Sequence, residues 1–446
     1  MTQVKMPQNE QLPLEPEKPW FREITTYQWI VLIVACAGWI FDIYENQIFM
    51  FVRGDMLGQL LRKAPNSPEV KAAGESINSL FLVGGAIGGV GFGMIADRFG
   101  RSRAMVLSIL VYAGFSSLTA FATSVWQVAV LRFLVATGTG GEWAVAAALV
   151  SEVFPKRARA HASAIFHASS VLGGLSAGAV SLVTGTNWRL AFLVGLLPAL
   201  LVFVVRYTIR ETKPADAEAE EGAGQVETAP AQPQPEPRRG FSEFWSNRLY
   251  RVRALLGLVL AGVGLIAYWA IYGAGQDLAR DFLMARGYSA ADAGASAKKA
   301  YGGWQLAGGA VGMFAMGPLC SYLGRRGAFV LMQMGAIAAT VLLCLVPTTY
   351  GMLIVGLMVM GFFVNGMHAG YAVWFPELFP TRLRATGAGI CFNGGRILAA
   401  SGLAFSAFIK GKLDLPKALM ILAGLYVIGV VAAMMLPETR GKALED

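Results

Sequence analysis

Six ionisable side chains inside long apolar stretches of this chain stand out: Asp42, Glu45, Arg132, Glu142, His368 and Arg396. A charge buried in hydrocarbon costs about 2.5–3.5 kcal/mol even on insertion scales, so each is a candidate for chemistry by default. Asp42 lies about 22 Å into its stretch from the inner edge, and Arg132 about 21 Å from the same edge of a core about 30 Å thick. An acid and a guanidinium at one depth in neighbouring helices form a switchable pair. With the arginine close the carboxylate stays ionised, and with it withdrawn the carboxylate takes a proton. A permanent structural ion pair is the other reading. Glu45, one turn on, shares the face of Asp42 and is either the true proton site or part of an outer vestibule. Glu142 falls near the inner surface, where it either joins a gate or meets a ligand.

Arg396 carries the most information about a ligand. It sits in Cys391-Phe392-Asn393-Gly394-Gly395-Arg396, among small residues, with no acid in its own stretch. A membrane-buried guanidinium without a local partner suits an anion, because its planar donors fit a carboxylate two at a time. Hydrogen bonding to backbone carbonyls beside a glycine kink is the alternative. Asn393, Tyr268, Tyr272, Gln276, Gln305, Asn365, His368 and His167 supply aromatic and amide groups at spacings that keep several on one helical face. For His167 and His368 the bland reading is a satisfied structural histidine, and Trp304 and Trp374 read as interface anchors.

The elements that must hold these groups follow from composition. Of 446 residues, 55% are hydrophobic and 15% charged, and mean hydropathy is +0.53. Water-soluble domains carry about 25% charged residues, so a soluble enzyme, a disordered chain and a nucleic-acid binder are all disfavoured. The net charge of +9 is spread among apolar runs and forms no basic stripe. Cys36, Cys320, Cys344 and Cys391 show neither disulfide nor metal-ligand spacing. No cofactor or metal is implied, and no nucleophile–base pair or nucleotide loop marks an enzyme.

A spanning helix needs about 20 mostly apolar residues. Twelve stretches qualify, at 27–51, 76–96, 104–122, 126–149, 162–184, 188–206, 252–275, 301–321, 328–347, 350–373, 387–409 and 416–436. The expected organisation is therefore a tail (1–26), a six-helix bundle (27–206), a polar, proline-rich linker (207–247), a second six-helix bundle (248–436) and a short tail (437–446). Lys and Arg crowd the loops on one side, which places both tails and the linker in the cytoplasm, in a multi-pass protein of a bacterial inner membrane. The first twenty residues lack the basic-then-apolar pattern of a leader.

The halves repeat. Gly93, Asp97, Arg98, Gly100 and Arg101 after span 2 match Gly317, Ser321, Tyr322, Gly324 and Arg325 after span 8. Glu152, Pro155, Arg157 and Arg159 after span 4 match Glu377, Pro380, Arg382 and Arg384 after span 10. Parallel duplication of a six-span unit places a ligand site between the halves near mid-membrane.

The run GMIADRFGRSR between spans 2 and 3 resembles the signature loop of the major facilitator superfamily, as does Arg132 followed by Gly138, Gly140 and Gly141 in span 4. The 152–159 and 377–384 loops, with the terminal PETRGK, resemble its sugar and organic-ion branch, including proton-coupled aromatic-acid, metabolite and sialate symporters. The resemblance implies an all-α membrane fold of twelve transmembrane helices in two pseudo-symmetric bundles. It also implies Asp42 as proton carrier with Arg132 as modulator, and a gate of Asp97, Arg98, Arg101, Glu142, Glu152, Arg157, Glu377 and Arg382. Ser321 and Tyr322 replace Asp97 and Arg98 in the second copy, so the gate is not charge-symmetric.

The expected activity is proton-coupled symport of a small organic anion, such as a monocarboxylate, an aromatic acid or an acidic sugar, by alternating access. The expected partners are that anion, the proton and the lipid bilayer, with no nucleic acid, and the chain is read as a monomer. A sugar or neutral-solute porter is the alternative within the fold. A non-transporting membrane sensor is the alternative outside it, disfavoured by the short tail.

Overall fold

The computed structural model describes residues 19–64, 67–185, 187–200, 205 and 244–444. The tail before residue 19 and almost all of the expected linker lie outside them. Among the described residues every regular element is helical.

Span 1 is the helix Thr26–Leu61, started by a reciprocal cap in which Gln28 N donates to Thr25 Oγ1 and Thr25 N donates to the Gln28 side chain. It runs ten residues past its expected end because Val52, Met56 and Leu57 stay buried, in a cluster that also holds Trp188 and Phe192 of span 6. Span 2 is Pro68–Phe99, span 3 Arg101–Thr119 and span 4 Val125–Val153. Span 5 is Lys156–Ala168 continued by Ser170–Thr184. Span 6 begins with Trp188–Val194 and a 3₁₀ turn, Leu197–Leu200, before passing beyond the described residues.

In the second half, span 7 comprises Arg248–Ala267, a π-helical turn at Tyr268–Tyr272, and Gly275–Met284. Span 8 starts at Ala290–Lys299, passes through a second π turn at Ala300–Gln305, and joins span 9 within the continuous helix Leu306–Leu345. Gly324 breaks that helix with φ 77°, as Gly100 with φ 100° separates spans 2 and 3. Both loops need a backbone conformation that only glycine adopts freely. Spans 10, 11 and 12 are Tyr350–Trp374, Arg384–Lys412 and the pair Leu415–Ala423 and Leu425–Met435.

Nine stretches of the described residues are long and apolar enough to cross a membrane. One of them contains both span 8 and span 9. Span 6 is only partly described, and span 11 is diluted by glycine, asparagine, arginine and lysine. Twelve spans result.

Lipid is as apolar as a helix surface, so these helices associate through close packing. A Cβ on Gly84 or Gly88 would strike the Phe133 or Thr137 carbonyl of span 4. One on Gly308 or Gly312 would strike the Met358 or Phe362 carbonyl of span 10. The two sets are equivalent positions of the repeat, so the duplication seen in the loops extends into the cores. The halves meet along two more such seams. Gly85, Gly89 and Gly93 of span 2 lie against Arg396, Asn393 and Thr386 of span 11, and Gly317 of span 8 lies against Ala160 and Ala164 of span 5.

Gly312→Ala forces a methyl into the span 8–span 10 seam, an overpacking worth about 1–3 kcal/mol. A clear drop in the detergent melting temperature is expected, against no drop for Gly91→Ala, whose added methyl meets open space. Equal melting of both variants would contradict the seam.

Candidate functional site

In the first half, spans 1, 3 and 4 enclose a cluster of buried charges. The Arg132 guanidinium lies 3.8 Å from Glu45 Oε2, and its Nη2 donates to the Glu45 backbone carbonyl at 2.9 Å. The rings of Phe49 and Phe81 cover it, with centroids at 5.0 and 4.5 Å. Ser116 of span 3 donates to the same Glu45 carboxylate. The direct partner of Arg132 in this arrangement is therefore Glu45, and the charge of Asp42 acts on it less strongly. Matching depths put all three groups in one layer, but depth does not fix which side of the helix faces span 4.

Asp42 is 3% exposed and turns instead toward the Thr139 hydroxyl of span 4 and the charge of Arg396 across the divide. Its Oδ2 has no hydrogen-bond partner. Glu142 is also moved from its expected place. It does not reach the gate but lies fully buried inside the first half, where it accepts from Ser108 at 2.6 Å and rests against Gly38 of span 1.

Arg396 projects from span 11 onto Gly85 of span 2, so its head sits on the seam between the halves. Its Nη1 is buried without a hydrogen-bond partner, and Phe392, one turn earlier, offers a ring face at 5.6 Å. Asn393 holds the seam by donating to the Gly140 carbonyl of span 4 at 3.1 Å, leaving its own Oδ1 unpaired. Below it Phe392 stacks on Trp143 of span 4 at 4.0 Å. Trp143 donates to His167 Nδ1 at 3.1 Å, and His167 meets the edge of Phe392.

The other expected ligand groups line the second half. A run of ring contacts leads from Phe392 to Tyr371, His368, Tyr268, Tyr272 and Tyr301, with neighbouring centroids 5.0–5.9 Å apart. Asn365 packs on Gly309 of span 8, and Gln276 is half-buried just beyond the span 7 π turn. Gln305 is differently employed: its amide donates to the Tyr272 carbonyl at 2.7 Å, fastening the two π turns together. Lys410 of span 11 does the same for the Ala270 carbonyl at 2.7 Å. A π turn frees carbonyls from the regular ladder, and these side chains satisfy them. Neither the π turns nor Lys410 was visible beforehand, since both depend on which carbonyl loses its helical partner. Trp374 is fully buried, donating to the Pro437 carbonyl at 3.1 Å, and forms no belt.

The loop-motif face, at the ends of spans 2, 4, 8 and 10, carries a reciprocal ion-pair network. Arg101 binds Glu152 at 2.8 Å, and its repeat counterpart Arg325 binds Glu377 at 2.8 Å. Arg384 crosses from the second half to Glu152 at 3.1 Å, and Arg159 crosses from the first to Glu377 at 3.7 Å. Asp97 pairs with Arg101 and accepts from the Ala385 and Thr386 amides at 3.1 and 2.8 Å, capping the start of span 11 from the opposite half. Its counterpart Ser321 instead lies 3.5 Å from His161.

The other three expected gate cations lie at the margin of this network. Arg98 points outward over Phe99, Arg157 pairs with Glu23 of its own half at 3.0 Å, and Arg382 is exposed. Arg159 and Arg384, two residues on, cross the divide, because the helix that begins at each loop turns those positions inward.

The terminal tail fastens this face of the second half. Glu438 accepts from the backbone amides of Arg325 and Arg326 at 2.9 and 3.0 Å and from those of Thr439 and Arg440, while Thr439 donates to Glu377 at 2.6 Å. Burial raises the Glu438 carboxyl's affinity for a proton, but the four amides outweigh it and hold the group below the usual glutamate range. A depressed carboxylate stabilises the fold above its unfolded pKa and loses that contribution as pH falls through the folded value. Glu438→Gln should therefore lower the melting temperature at pH 7, with the gap to wild type closing on acidification below about pH 4. A gap independent of pH would remove the charge from this role. Asp97→Asn should speed amide hydrogen exchange at Ala385 and Thr386 by about tenfold, the equivalent of about 1.4 kcal/mol, and unchanged exchange would deny the cap.

The family model described as the Major Facilitator Superfamily matches residues 71–297. A Cupriavidus pinatubonensis protein named "Probable 4-methylmuconolactone transporter" is 28% identical over 96% of this chain and 94% of its own. The niacin transporter NiaP of Acinetobacter baylyi is 26% identical over 95% of this chain and 97% of its own. Among solved structures, the proton:xylose symporter XylE superposes with a TM-score of 0.71 at 14% identity, covering 94% of this chain and 98% of that one. The duplicated six-span bundles, the reciprocal loop network and a family model that matches half of the chain together make this protein a member of the major facilitator superfamily.

Proposed function

We propose that the protein is a proton-coupled symporter that carries a small organic anion by alternating access. The observation that carries the reading is Arg396: a half-buried arginine on the seam between the halves whose buried Nη1 has no hydrogen-bond partner, with no carboxylate among the described residues in direct contact. Small acids match its donors. Relatives similar along nearly the whole chain are named for 4-methylmuconolactone and niacin, the second a ring carboxylic acid.

The rearranged cluster supplies the coupling. Asp42 is the carboxylate whose charge acts on Arg396, with Glu142 and Glu45 as further acids near it. An anion docked on Arg396 withdraws that compensation from Asp42, and a proton removes the second negative charge at least cost. Glu45 is already compensated by Arg132 and Ser116, so Asp42 is the carrier. With both proton and anion aboard the charges of Asp42, Arg396 and the cargo balance, as they do when the site is empty, and the halves can rock; with only one aboard they do not balance.

The ion-pair network corresponds to closure on the loop-motif face, which the basic loops place in the cytoplasm of a bacterial inner membrane. The bundles are the 27–206 and 248–436 segments joined by a cytoplasmic linker, and the working unit is one chain.

Asp42→Asn should abolish gradient-driven accumulation in proteoliposomes while sparing counterflow exchange. Retained uphill uptake would reject the carrier. Arg396→Ala should weaken binding of small carboxylic acids about tenfold to a hundredfold, from the loss of a charged hydrogen bond worth about 1.5–3 kcal/mol. Binding of wild-type strength would reject the anion site.

A further inference from the structure

We propose that His368 is a selectivity element that makes the site prefer acids bearing a hydroxyl or amino donor over the same acids without one. The inference rests on the anion reading and deepens it.

His368 lies on span 10 with 5% of its surface exposed. Its Nδ1 is 3.1 Å from the Val364 carbonyl, one turn back. A carbonyl only accepts, so Nδ1 carries the hydrogen and the neutral ring presents Nε2 as an acceptor. Nε2 is buried and has no partner. The hydroxyl of Tyr371, whose ring meets the imidazole, is already used, donating to the Leu260 carbonyl. An orphaned buried acceptor leaves its desolvation uncompensated, a cost relieved when something with a donor arrives.

The surroundings fit such a cargo. Tyr268 stands across the imidazole at 5.2 Å and 65°, Tyr371 at 5.5 Å and 80°, and the half-buried Tyr268 ring leaves this wall partly accessible. Ring contacts continue through Tyr371 to Phe392, which carries Arg396 over its face. The wall between the two orphaned groups is thus aromatic, with a donor lacking an acceptor at Arg396 and an acceptor lacking a donor at His368. A site built to hydrogen-bond a hydroxyl rejects the analogue without it far more strongly than an apolar pocket discriminates by size.

The test is calorimetric binding to the full-length protein of benzoate, 3-hydroxybenzoate, 4-hydroxybenzoate and 4-aminobenzoate. At least one donor-bearing acid should bind about tenfold tighter than benzoate, equivalent to about 1.4 kcal/mol. His368→Phe should bring that ratio to about one, and His368→Gln, which keeps an acceptor, should restore part of the preference. Benzoate binding as tightly as all three, or a preference that survives His368→Phe, overturns the proposal. Arg396→Ala separates the two readings. If it leaves acid binding intact, the anion site itself is wrong, whereas Arg396-dependent binding with a His368-independent preference defeats only the selectivity role. Absence of binding by all four acids overturns both.

Discussion

Hydrocarbon cannot solvate a charge, so each ionised group in the spans must be compensated by the protein itself or by something it carries. Within the first half Glu45 meets Arg132 through side chain and backbone, with Ser116 and two phenyl rings around the pair, while Glu45 Oε1 and Arg132 Nε and Nη1 keep no hydrogen-bond partner. Asp42 and Arg396 act on each other from opposite halves without a direct ion pair, and each keeps an unpartnered atom. That second pair spans the seam between the halves.

Backbone arrangement follows from a second constraint, close approach without side chains in the way. The glycines of span 2 serve both partners of that helix. Gly84 and Gly88 admit span 4, while Gly85 and Gly89 admit Arg396 and Asn393 of span 11. One helix thereby sets both the internal packing of its bundle and the position of the guanidinium on the seam. Substituting small residues on either face would shift the site as well as the fold.

Most of the architecture was legible because its signals are local. Twelve apolar runs, a repeat offset and the loop glycines specify spans, duplication and breaks. The site was legible in part. Buried charge is visible in sequence, so Asp42, Glu45, Arg132, Glu142 and Arg396 were all named, but partner choice depends on rotation about helix axes. That is why Glu45, not Asp42, took Arg132, and why Glu142 lies beside Ser108 and not in the gate. The gate cations slipped by two residues for a related reason: Arg159 and Arg384 become inward only once the helix following each proline is placed. The π turns at Tyr268–Tyr272 and Ala300–Gln305 left no sequence mark, and the Ala270 and Tyr272 carbonyls of the first are satisfied by Lys410 and Gln305 from elsewhere in the chain.

The reciprocal network on the loop-motif face has an asymmetry of bookkeeping. Glu152 and Glu377 each hold two guanidiniums, one from their own bundle and one from the opposite bundle. In the rocking motion proposed above, parting of the bundles would leave Arg325 with Glu377 and Arg101 shared between Glu152 and Asp97, and would release Arg159, Arg384 and the Ala385 and Thr386 amides that Asp97 caps. The released guanidiniums are more weakly hydrated than an ammonium. Each carboxylate would still touch a guanidinium of its own bundle, one cation serving two acids in the first half and one serving one in the second.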